Sequence, residues 1–162
     1  MNIEYLQLMD STKRIFGEEN EPVKENDITC LEQKLTKTFP KAYREFLFLG
    51  GDGANMMGGL NFGFYQGDTY AGDVMVEMQN YVKAFLKEEK LVIEGGEFWV
   101  IGDLDGGESF HFFYFNDPDA VDPENPPVYA SYPAYLEDGY PLKEKIADSF
   151  SQYIEDKIRA YQ

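Results

Sequence analysis

Cysteine is nearly absent from this chain. Cys30 stands alone among 162 residues, so no intramolecular disulfide can form, and a reducing compartment is favoured. Histidine is equally scarce, with His111 the only one, and with one Cys beside it a zinc site with three or more Cys or His ligands cannot be assembled. No apolar run reaches the ~18–20 residues of a membrane-spanning helix. The opening MNIEYLQLMD lacks the basic start and apolar centre of a signal peptide, so a cytoplasmic protein is expected. Positive charge is short as well: 14 Lys and Arg stand against 30 Asp and Glu, a net charge of -16. The sign excludes direct binding to nucleic acid or to an anionic membrane, both of which need clustered cations.

Aromatic and hydrophobic residues, by contrast, are plentiful, at 16% and 43%. They exclude a disordered polyelectrolyte and predict one domain with a sizeable core. The charge exceeds the magnitude of about 2–8 that suits a small soluble domain, and its placement is uneven. No Lys or Arg occurs from Glu45 to Val82, which hold five acids, or from Leu91 to Leu142, which hold eleven. Solubility alone would be served by interspersed signs. Segregation predicts a surface built to meet something basic.

Periodicity predicts a helix over residues 2–15 and a connector through Gly17 and Pro22. The stretch ITCLEQKLTKTF predicts a second helix opened by a capping box of Thr29 and Glu32, with Cys30 as a small core residue. Pro40 starts PKAYREFLFL, with Tyr43, Phe46 and Leu47 inward and Gly50-Gly51 as the stop. LNFGFYQ alternates like a short strand. Val74, Met78, Tyr81, Val82 and Phe85 set the inward face of the next helix. EFWVIGD and SFHFFYF flank LDGGE as a hairpin, with Phe110, Phe112 and Tyr114 on one face and Phe113 on the other. Apolar residues on both faces predict a central strand. Residues 116–127, with four prolines, predict a loop. PVYASY predicts a strand, and Ile146, Phe150, Ile154 and Ile158 predict a closing amphipathic helix.

Several chemistries can be weighed on these residues. Asp103, Asp105 and Glu108 beside Trp99 and Phe110 have the residue types of a glycosidase pair, yet an Asp-Gly turn produces the same letters for geometric reasons. DLDGGE starts like a calcium loop but places Gly107 fifth and Glu108 sixth, which breaks the EF-hand pattern. GGDGANMMGG carries no G-K-[ST], no complete G-x-G-x-x-G and no cation, so it is no phosphate loop. His111 has no G-x-S-x-G turn to serve and is expected as a partly buried structural histidine. No metal and no cofactor is expected.

Glu32, Leu35, Pro40, Tyr43, Phe46 and Leu47 stand at E-x-x-L-x-x-x-x-P-x-x-Y-x-x-F-L spacing, followed by Gly-Gly, WVIGDLDGG, NPPVY and the Ala147-Asp148-Ser149-Phe150 segment. In that order they resemble the SUKH superfamily, over about residues 28–154. This superfamily includes Smi/Knr-type fungal cell-wall regulators and many bacterial toxin-immunity proteins. Gly50-Gly51-Asp52-Gly53 replaces the Asn-Gly of many relatives, and the loop at 116–127 is longer than a minimal member's.

The resemblance implies a single α+β domain, a mixed and mainly antiparallel sheet flanked by helices, without an established catalytic centre. The N-terminal helix would be an added or packed element. It further implies a protein-binding role, most often neutralisation of a toxin domain, with a regulatory scaffold as an alternative; a carbohydrate-acting enzyme using the paired carboxylates is a separate alternative. Joined to the charge pattern, it predicts a basic protein partner. The contact acids would be Asp103, Asp105, Glu108, Asp117, Asp119, Asp122 and Glu124, with Tyr114 and Tyr129 as aromatic anchors.

Overall fold

The structure is a computed structural model that describes residues 1–12, 14–15, 18–51, 73–103 and 107–160. The strand expected at LNFGFYQ and the loop with Met56 and Met57 lie outside the described residues, as does Asp105.

Pro22 and the extended Lys24 keep helix from forming earlier, and α2 spans Glu25–Leu35, with Glu25 and Asp27 in the first turn complementing the helix dipole. It thus begins four residues ahead of Thr29. The expected capping box does not form: Thr29 Oγ1 donates to the Glu25 carbonyl one turn back. Cys30 is exposed, because Ile28, Leu31 and Glu32 set the buried face. After the N-cap Pro40, α3 runs Lys41–Gly50 and buries Tyr43, Phe46 and Leu47 as predicted.

The helix expected over 2–15 is reduced to α1, Gln7–Ser11. A distant acid is responsible. Glu45, fully buried on α3, accepts the amides of Glu4, Tyr5 and Leu6 at 2.8, 2.9 and 3.0 Å. These donors are thereby held in a bend that leads into α1. A short antiparallel pair follows, β1 (Arg14–Ile15) with β2 (Glu18–Glu19).

Helix α4 spans Asp73–Glu88. Its buried positions are Met75, Met78, Gln79, Val82 and Leu86, and Tyr81 is 63% exposed, since one residue of helix turns it about 100° from Val82. Strands β3 (Phe98–Asp103), β4 (Phe110–Tyr114), β5 (Val128–Ser131) and β6 (Glu144–Ala147) form one antiparallel sheet in that order. Ile146 therefore lies in a strand, and the closing helix α5 spans Phe150–Ala160. The four-residue apolar spacing runs back into β6, but Ser149 marks the true start by accepting the Gln152 amide at 3.2 Å.

The sheet is covered on both faces, as the two-sided β4 predicts. Trp99, Ile101 and Phe113 face a core built from α1, α2, α3 and α5. Val100, Phe110, Phe112 and Tyr114 face a second core with Met78, Val82 and Leu86 of α4. Gln79 joins α4 to β3: its side-chain amide accepts from the Val100 amide at 2.7 Å and donates to the Val100 carbonyl at 2.9 Å. A side chain thus satisfies both outward backbone groups of Val100.

Candidate partner-binding surface

The residues that carry the resemblance serve the core rather than a cleft. Glu32 accepts the Phe39 amide at 2.7 Å and faces Arg44 at 3.5 Å, which ties α2 to α3. Tyr43 accepts the indole N–H of Trp99 at 3.0 Å and meets Phe113 and Phe150 edge-on. Burial keeps the Tyr43 phenol protonated well past its ordinary range. His111 is likewise structural. Its Nδ1 lies 2.7 Å from the Tyr153 hydroxyl, and burial, aided by the nearby Lys157 charge, pushes its pKa down to about 4.

The predicted contact acids fall into two groups at opposite ends of β4. Its five residues span roughly 15 Å at ~3.4 Å per residue. At the hairpin end, Asp103 Oδ1 accepts the Gly107 amide at 2.8 Å, so one of its oxygens shapes the turn. Gly107 needs to be glycine: its φ is +100, and an added Cβ would meet Phe85 Cβ at 3.1 Å. Glu108 follows, with the Tyr135 hydroxyl 3.4 Å away.

At the other end, the 116–127 loop is ordered by its own acids. Asp117 Oδ1 accepts the Asp119 amide and Asp122 Oδ1 the Glu124 amide, each at 2.9 Å. Asp122 also accepts the Tyr5 hydroxyl at 2.7 Å, which raises the Tyr5 pKa. Glu124 accepts the Lys41 amide at 2.7 Å. Asn125 fastens the loop to Ser151 on α5 through two bonds. None of Glu108, Asp117, Asp119, Asp122 and Glu124 forms an ion pair among the described residues. The nearest cations pair with other acids, Lys41 with Glu4 and Lys145 with Asp148, while the field of Glu124 also reaches Lys41 and that of Asp117 and Asp119 reaches Lys145.

The two expected anchors are placed elsewhere. Tyr114 and Tyr129 are 2% and 5% exposed, because both rings complete the α4-side core. Tyr114 donates to the Glu94 carbonyl at 2.6 Å, and burial pushes its pKa up to about 12. Tyr129 donates to Asp117 at 2.9 Å. Lys143 lies over both rings, 5.5 and 5.8 Å from their centroids. Neither ring is offered to a partner.

A feature that the sequence did not reveal sits at the hairpin end. The end of α4, the β3–β4 turn and the segment after β5 enclose a groove of about 420 Å³. Phe85, Leu91, Pro133 and Leu136 supply its apolar lining, and Glu89, Glu108 and Glu137 its charge. Glu137 belongs to the cation-free stretch, but Glu89 reads in sequence as part of a solvated helix end. Only the fold brings them together.

An antiparallel sheet covered by helices on both faces, with surface acids at both sheet ends, defines an α+β domain. A profile of the SMI1 / KNR4 family (SUKH-1) matches residues 22–156, and the chain belongs to that family. Residues 1–21, including the segment held by Glu45, precede the match. Comparison with curated proteins and with solved structures finds no significant match. Among the described residues, no helix is long and apolar enough to cross a membrane.

Proposed function

We propose that this protein is a non-catalytic binding module of the bacterial immunity kind, acting in the cytoplasm to neutralise a basic toxin domain, often a nuclease. The observation that carries this reading is the set of five acids, Glu108, Asp117, Asp119, Asp122 and Glu124, which form no ion pair among the described residues of a chain of net charge -16. Family membership supports the binding role, since the superfamily includes toxin-immunity proteins.

The physical logic is substrate mimicry. A nuclease cleft is basic because it must hold phosphates, and ordered carboxylates can occupy the same field. The 116–127 loop suits this task because its own hydrogen bonds fix it before contact, which lowers the entropy lost on association. The test is survival of cells that express a basic toxin domain encoded beside this protein. Co-expression of this chain should restore growth, and D117N/D119N/D122N/E124Q should abolish protection while the fold persists. Protection unchanged by that variant would overturn the reading.

A further inference from the structure

We propose that the groove between the end of α4, the β3–β4 turn and the segment after β5 docks a basic segment of the partner, with an arginine side chain seated in it. This inference rests on the basic-partner reading above and adds to the 116–127 loop a second contact, at the other end of β4, with the same partner.

The groove has two kinds of lining. Its apolar part, Phe85, Leu91, Pro133 and Leu136, suits the methylene stem of a long side chain. Its carboxylates, Glu89, Glu108 and Glu137, come with no lysine or arginine among the described lining residues. Glu89 and Glu137 form no ion pair among the described residues.

Beside the groove the surface is aromatic and open to solvent. Tyr140 is 54% exposed and Leu136 37%. The Tyr140 ring meets those of Tyr132 and Tyr135 at 5.3 and 6.1 Å. Tyrosine-rich apolar surface of this type is what interfaces concentrate. The carboxylates decide the occupant. A second copy of this chain would bring like charges together, and nucleic acid has the wrong sign. A cationic segment relieves the repulsion. Arginine fits better than lysine, because a planar guanidinium can bridge two carboxylates and stack on a tyrosine ring.

The test is a titration of the ¹⁵N-labelled full chain with N-acetyl-arginine methylamide, followed by amide chemical shifts, with N-acetyl-norleucine methylamide as the uncharged control. Saturable shifts are expected at residues 89–91, 107–109 and 134–138, with the control at least about fivefold weaker. E108Q/E137Q should weaken binding about tenfold without loss of spectral dispersion, and D117N/D119N should leave it unchanged. Shifts confined to residues 117–124 would overturn the groove and leave the basic-partner reading standing. Shifts at the groove that ignore E108Q/E137Q, or that norleucine reproduces equally, would overturn it too.

Discussion

Replacement of Glu45 by alanine tests how the N-terminal segment is held. The carboxylate is fully buried and accepts three successive amides, at 2.8, 2.9 and 3.0 Å. The Glu4 and Tyr5 amides are partly buried, so water can replace their partner, and each lost bond costs about 0.5–1.5 kcal/mol. The Leu6 amide is buried and would be left unsatisfied, at a cost of about 1–3 kcal/mol. The expected loss is therefore about 2–6 kcal/mol, a large part of the ~5–15 kcal/mol that stabilises a typical domain. Urea denaturation measures it, and Tm should fall by roughly 10 °C. Hydrogen exchange should quicken at amides 4–6 in step. If the segment detaches, Leu6 and Met9 leave the core and the denaturation slope falls with the area buried. In a chain lacking residues 1–6, the same substitution should cost close to nothing, since its partners are gone. A loss below about 1 kcal/mol in the full chain, or an equal loss in the shortened one, would refute the clamp.

Three further outcomes follow from buried polar contacts. Gln79→Leu leaves the Val100 N–H and C=O without the partners that Gln79 supplies and should cost about 2–6 kcal/mol by denaturation. Tyr43→Phe removes the acceptor of the Trp99 indole N–H and should cost about 1–3 kcal/mol, read by denaturation followed through Trp99 fluorescence. His111 has a folded pKa of about 4 against an ordinary 6.5. Below pH 6.5 the unfolded chain therefore binds the extra proton, and stability present above 6.5 is lost as pH falls toward 4. This single group contributes about 3 kcal/mol to that slope, so His111→Gln should flatten the pH dependence of stability between 6.5 and 4 relative to the parent.

Local chemistry made much of the fold legible. Pro40 announced α3, the Asp-Gly-Gly turn announced the β3–β4 hairpin, and the two-sided β4 announced a strand covered on both faces. Readings failed where a distant residue decided the local structure. Glu45, about forty residues along the chain, limits the N-terminal helix. Pairing with β5 makes a strand of residues 144–147, although Ile146 continues the helical spacing of α5. Tyr114 and Tyr129 look like interface residues in sequence, and burial against α4 makes them core. The surface was half legible. The sequence gathers acids into one cation-free stretch, but β4 divides them between two ends of the sheet. The companion of Glu108 in its groove, Glu89, comes from the turn after α4, which the stretch does not include.

If the carboxylates of the 116–127 loop steer this protein to a basic target, as proposed, association must depend on them and on salt. The association rate with the basic toxin domain against which the chain protects should be measured by stopped flow at 50 and 300 mM NaCl, for the parent and for D117N/D119N/D122N/E124Q. The parent rate should fall by about tenfold or more as salt rises, and the variant should associate slowly at both. Equal rates for the two proteins, unmoved by salt, would rule out steering by these acids.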